Sequence, residues 1–288
     1  MPHNVGLMSV EHYENFPVAS WLCPPRLRAP IEAVYHFART ADDLADEGDA
    51  SPELRRQDLD EYAADLVGLW QKPAQASRRW PSVFQRLAKA VDQHGLPQPL
   101  LLDLLSAFRQ DTQQDRYGTR AELLDYCRRS ANPVGRLLLH LYGVKDPVSQ
   151  GQSDDICTAL QLINFWQDPS IDWPRGRCYF PQDDLARHGL KAEDLLAGRR
   201  PPGLEVVTHE LVAWARELMR RGAPLCKRLP GRLGWELRLV VQGGWLILDR
   251  IEQGGCRPWL NRPTVKKKDL PRLLARALRM HNVKPPAP

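Results

Sequence analysis

The chain has 288 residues, 43% hydrophobic and 26% charged, enough to bury the core of one large or two small domains. Its 40 lysines and arginines against 35 aspartates and glutamates are spread and mixed with one another, which argues against a nucleic-acid stripe and suits an anionic small molecule. No apolar run approaches the about 20 residues that span a bilayer, and the opening MPHNVGLMSVEHYENF lacks a secretion pattern, so a cytoplasmic location is expected.

Alternating strand patterns are nearly absent. Apolar residues instead recur with a helical period over 28–47, 53–71, 79–93, 97–110, 120–142, 151–168, 204–228, 231–254 and 269–281. Most of the 25 prolines fall between these spans or at their starts, where proline is tolerated. Pro133 and Pro224 fall inside spans and are expected to break or kink them. No repeat, low-complexity stretch or linker divides the chain. The expectation is a single all-α domain over 1–288, a helical bundle with a central cavity, frayed at 1–10 and 282–288. The six cysteines (Cys23, Cys127, Cys157, Cys178, Cys226, Cys256) show neither paired nor zinc-type spacing, which fits a reduced compartment.

Two segments carry the chemistry. In the first, Tyr35, Arg39, Asp42 and Asp46 share one helical stripe; in the second, Gln161, Asn164 and Asp168 share another, which Asp172 continues if the helix persists past Pro169. One Asp-x-x-x-Asp pair alone is as well explained by a solvated acidic face. Two of them, each at the end of an apolar helix with amide, phenol and guanidinium groups on the same stripe, point to a site. Carboxylates facing one cavity repel unless cations lie between them. An all-oxygen donor set selects a hard ion, Mg²⁺ or its near equivalent Mn²⁺, whose remaining ligands are water and phosphate oxygens. The pattern therefore predicts a diphosphate held by Mg²⁺ between two helices.

The combination resembles the squalene/phytoene synthase family from about Glu14 to Leu278. Tyr35-x-Phe37-x-Arg39-x-x-Asp42-x-x-x-Asp46 is similar to the family's first aspartate-rich motif. Asp111-x-x-x-x-Arg116-Tyr117 resembles a phytoene synthase segment, and Tyr126-Cys127-x-x-Ser130-Ala131-x-x-Val134-Gly135 the helix lining the prenyl-chain cavity. Gln161-x-x-Asn164-x-x-x-Asp168-x-x-x-Asp172 with Arg177-x-Tyr179-Phe180-Pro181 resembles the second motif and its closing loop. Asn15-Phe16-Pro17-Val18-Ala19-Ser20, the run from Phe37 to Gly48 and Asn164-Phe165-Trp166-Gln167-Asp168 look like the hydroxysqualene-forming branch of bacterial hopanoid pathways. Gln167 departs from the arginine common in the family, and a C-terminal tyrosine is replaced within Gly243-Gly244.

The resemblance implies that Asp42, Asp46, Asp168 and Asp172 ligate Mg²⁺ with help from Asn164. Tyr35, Arg39, Arg177 and Tyr179 would hold the departing diphosphate, with Phe16, Phe37, Phe165 and Trp166 offering aromatic faces to a carbocation. Ser20, Asp111, Ala131, Gly135 and Gln161 would complete the substrate site. The implied reaction converts presqualene diphosphate and water to hydroxysqualene and diphosphate, with no NADPH. It would be coupled to a presqualene diphosphate synthase and a squalene-forming reductase. Rivals are head-to-head condensation of two prenyl diphosphates and a non-catalytic assembly factor of the same fold. The basic amphipathic stretch from Leu270 to Arg279 is expected to pack on the bundle, with docking at the inner membrane surface as the alternative.

Overall fold

A computed structural model of the chain describes residues 23–71, 77–229 and 231–280. The expectations of fraying at both ends, and those for Phe16 and Ser20, lie outside these residues. Within them, all regular structure is helical, and one isolated bridge joins Arg116 to Cys178. No described helix is long and apolar enough to cross a membrane.

The longer helices are α1 (Pro25–Asp46), α2 (Pro52–Gly68), α3 (Pro81–His94), α4 (Gln98–Asp111), α5 (Arg120–Ser130), α6 (Asn132–Leu141) and α7 (Pro147–Gln167). After α8 (Pro169–Asp172), α9 (Gln182–Arg187) and α10 (Ala192–Leu196) come α11 (Leu204–Gly222), α12 (Leu225–Arg228), α13 (Gly231–Gln253) and α14 (Leu270–Arg279). Local chemistry sets several starts. Ser51 accepts from the Leu54 amide at 3.3 Å ahead of Pro52, and Asp146 accepts from the Ser149 amide at 2.9 Å ahead of Pro147. This cap starts α7 four residues before the expected 151.

The spans 120–142 and 204–228 are each divided, at Ala131 beside Pro133 and at Ala223 and Pro224, because proline lacks the amide that would continue the ladder. The short helices α8 to α10 fall in a stretch that gave no periodic signal.

Two apolar cores result. One lies among α1 to α4 and takes in Leu137 and Leu141 of α6; the other surrounds α7, α11 and α13. Helices α7 and α11 meet closely at Gly222, where an added Cβ would come within 2.6 Å of the Ile156 side chain and 2.7 Å of the Gln152 carbonyl. An apolar cavity lies between α6, α7, α12 and α13, lined by Gly135, Leu138, Ile156, Leu225, Leu233 and Leu237 among others. All six cysteines are free and buried.

Candidate active site between the two aspartate rows

Helix α1 presents Tyr35, Arg39 and Asp42 half-buried along one stripe, with Asp46 exposed at its end. The guanidinium of Arg39 stays on this helix, donating to Asp42 at 3.3 Å and Glu47 at 2.8 Å and pairing with Asp43 at 2.6 Å. On α7, Gln161 and Asn164 are half-buried while Leu160, Leu162, Ile163, Phe165, Trp166 and Gln167 are buried, so the polar stripe is partly open and its neighbours face the core. Pro169 interrupts α7 for one residue. Asp168 leaves helical geometry (φ −107°, ψ 21°), but the Asp172 amide still donates to the Asp168 carbonyl at 2.9 Å. The turn is thereby restored, and both carboxylates stay half-buried.

Direct contact joins the two rows. Arg177, which follows the second row, bonds to Asp46 at the end of the first, and Arg175 approaches Asp46 at 3.9 Å. Asp111, at the end of α4, is close enough to Asp42, Asp46 and Arg177 to feel their charge and accepts from the Tyr126 hydroxyl at 2.9 Å. Burial pushes the Asp111 carboxyl up to about 7; Tyr126 and Arg177 act against this, and Asp42 and Asp46 add to it. Burial likewise pushes Asp172 up to about 7, with Asp168 and Asp46 adding to the rise and Arg177 and Arg175 opposing it. Burial would also raise Asp46, but its bond to Arg177 takes it below the ordinary carboxylate range. Burial alone would lower the Arg177 guanidinium; Asp46, Tyr179 and Asp111 raise it instead. The rows thus feel one another's charge and share the cations Arg177 and Arg175.

An aromatic wall backs the carboxylates. Phe165 stacks on Tyr179 at 3.8 Å between centroids, Tyr117 stacks on Tyr179 at 6.1 Å, and Tyr126 lies 6.1 Å from Phe165. Burial raises the phenols of Tyr117, Tyr126 and Tyr179, so all three stay neutral; Tyr126 donates to Asp111 and Tyr117 accepts from Gln110 at 3.3 Å. Ala131 occupies the break between α5 and α6, and Gly135 lines the apolar cavity.

Two expected aromatic contributors are placed elsewhere. Phe37 has 0% exposure and packs in the first core, 5.2 Å from the Tyr62 ring and 6.2 Å from Phe84. Trp166, also at 0%, packs edge-on to Phe180 at 5.3 Å in the second core. Five residues before Asp42 and two before Asp168, these rings lie about 140° and 200° round their helices from the acids, hence on the core side.

One residue was missed. Arg262, in the segment between α13 and α14, forms a two-pronged bond with Asp168, the second prong at 3.1 Å. That segment is held by Gln167, whose Nε2 donates to the Pro263 carbonyl at 2.7 Å, and by Trp259 stacked 5.7 Å from Trp173. A cation therefore stands beside Asp168 although position 167 is glutamine. Its partner lies 94 residues away, so no local spacing could signal it. Arg116 turns away from the site to Glu193 of α10, leaving Tyr117 as the inward member of that motif.

Three relatives are similar to this chain. The chain is 36% identical over 230 residues to the hydroxysqualene synthase of Sinorhizobium fredii, covering 79% of this chain and 76% of the relative. It is 37% identical over 229 residues to that of Rhodopseudomonas palustris, covering 79% and 75%. The crystal structure of squalene synthase HpnC from Alicyclobacillus acidocaldarius superposes with a TM-score of 0.77 at 36% identity, over 85% of this chain and 90% of that one. The squalene/phytoene synthase family profile matches residues 10–269, and with two facing aspartate rows on an all-helical bundle the chain belongs to that family.

Proposed function

We propose that this chain converts presqualene diphosphate and water to hydroxysqualene and diphosphate, with Mg²⁺ in the site. The observation that carries the reading is the bond from Arg177 to Asp46, which draws the two aspartate rows onto one groove backed by aromatic rings. The identity to hydroxysqualene synthases supports the choice of reaction within the family.

The donors on offer are carboxylate and amide oxygens, which fit a hard divalent ion. Among the described residues no three His, Cys, Asp or Glu side chains are gathered closely enough to hold a metal ion by themselves. Asp42, Asp46, Asp168 and Asp172, with Asn164, would hold Mg²⁺, which when bound supplies Lewis-acid stabilisation of the leaving diphosphate. Arg177 and Arg262 sit at the acids and can transfer their hydrogen bonds to the diphosphate as it gains charge. Tyr126, Tyr117 and Tyr179, neutral and buried, can donate without adding positive charge. The aromatic cluster of Phe165, Tyr179, Tyr117 and Tyr126 would lie beside a forming carbocation through ring edges and faces that are not stacked on one another. The small apolar cavity by Gly135 has none of these acids in its lining and carries no part of this reading.

Purified protein with Mg²⁺ is given presqualene diphosphate or farnesyl diphosphate, and products are read by mass spectrometry. Hydroxysqualene from the first, with no turnover of the second, supports the reading. Turnover of farnesyl diphosphate alone assigns head-to-head condensation instead. Asp42→Ala or Asp168→Ala should lower turnover by at least about 10²-fold; unchanged turnover would remove both rows from the site.

A further inference from the structure

Helix α14 is apolar on two sides. Leu273 and Ala277 are buried, and Arg276 reaches Asp249 of α13 at 3.1 Å, so one side is packed on the bundle. A second leucine stripe is left uncovered: Leu270, Leu274 and Leu278, one turn apart, are 51%, 43% and 57% exposed. From this stripe the exposed half of the helix passes through Pro271 and Ala275 to Arg272 and Arg279. Lys266, Lys267 and Lys268, all exposed, lead into it. Among the described residues none of these five cations makes an ion pair, and the only acid in the stretch, Asp269, is buried and bonded to Arg250.

We propose that α14 and its lysine lead-in dock this protein on an anionic lipid surface, with the leucine stripe entering the headgroup boundary and the lysines and arginines meeting lipid phosphates. The charge distribution selects this occupant. A second copy of the chain would bring five like charges against five, whereas an anionic bilayer neutralises them and covers the leucines at once. Long cationic side chains reach headgroups from the flank of a helix lying in the plane.

The placement bears on the site. The segment 257–265 leads from α13 to these lysines, pairs Arg262 with Asp168, and leaves Leu260 70% exposed. The docking surface thus begins a few residues along the chain from Arg262, which is bonded to the second aspartate row. On the reading of the site given above, whose substrate and product partition into lipid, docking would shorten the path between bilayer and groove.

The test does not use activity. Full-length protein is sedimented with phosphatidylglycerol vesicles and with phosphatidylcholine vesicles, at low and high salt. Binding to phosphatidylglycerol should exceed binding to phosphatidylcholine by about tenfold or more and weaken as salt rises. Leu274→Glu with Leu278→Glu, and separately Lys267→Glu with Lys268→Glu, should each lower it about tenfold. Circular dichroism melting checks that both variants stay folded, and their turnover of detergent-dispersed substrate should equal that of the unaltered protein. Equal binding to both vesicles, or binding kept by both variants, overturns the proposal. A concentration-dependent dimer that the leucine variant converts to monomer would assign the stripe to self-association. Failure here leaves the proposed reaction standing, and failure of that reaction leaves vesicle binding standing.

Discussion

Gln167 donates through Nε2 to the carbonyl of Pro263 at 2.7 Å, and both residues are buried. The residues beside them, Asp168 and Arg262, are bonded too. The inner contact orients the outer one. Gln167→Leu should strand the Pro263 carbonyl at a cost of about 1–3 kcal/mol, and should lower turnover about 10-fold or more as Arg262 shifts. Arg262→Ala removes a partly exposed pair, so it should lower turnover similarly while leaving the melting temperature nearly unchanged. Comparing thermal melts and steady-state rates for the two variants separates positioning from contact.

Arg177 acts on both rows and is bonded to Asp46. Arg177→Ala should lower kcat/KM about 10²-fold. Arg177→Lys, which keeps the charge but loses the planar fork, should recover only part of the loss. The same assay with varied Mg²⁺ reads whether the free carboxylates now need more metal.

Asp111 predicts a pH dependence. Its folded carboxyl titrates near 7, against 3.8 for an ordinary one, because burial and then the charges of Asp42 and Asp46 disfavour ionisation. The folded state therefore holds a proton that the unfolded chain has released. The stability this group contributes is complete below about pH 4 and is lost as pH rises through about 7. Asp111→Asn keeps an acceptor for Tyr126 and removes the charge. In metal-free buffer at pH 8 it should melt above the unaltered protein, by at most the equivalent of about 4 kcal/mol, and the gap should close towards pH 4. Calorimetry across that range checks both sign and window.

Two glycines should respond in opposite directions. At Gly222 an added methyl meets the Gln152 carbonyl and the Ile156 amide, at 2.7 and 2.9 Å, and neither can step aside without moving α7. Gly222→Ala should cost about 1–3 kcal/mol or more. At Gly243, inside α13, nothing lies within 4 Å of the added atom. Gly243→Ala should stabilise by about 0.5–1 kcal/mol through helix propensity. Denaturant unfolding at one pH gives both values.

Helix class and the aspartate rows were legible because both are written in short spacings. Apolar residues three and four apart mark helices, and acids four apart mark a face. Even the divisions of 120–142 and 204–228 were visible in Pro133 and Pro224. The position of Arg262 was not, because a contact between residues 94 apart is made by the fold. Asp111 with Tyr126 is intermediate: each stood in a recognisable segment, but their hydrogen bond joins different helices. Phe37 and Trp166 show the opposite error. Neighbours in sequence to the acids, they were read as pocket walls, while helix geometry turns them to the core.

The stretch from Arg177 to Pro181 resembles the loop that closes the second motif, and it runs on into Gln182 and Asp183. In the fold it is sewn to the chain before α5: Cys178 donates to the Asp115 carbonyl at 2.8 Å, Gln182 to Tyr117 at 2.9 Å and Asp183 to Gly118 at 3.0 Å. Tyr179 is clamped between Phe165 and Tyr117. Swinging this stretch outward would break three main-chain bonds and unstack two rings at once. The fold therefore ties this stretch down as a buttress beside the acids instead of leaving it as a loose flap.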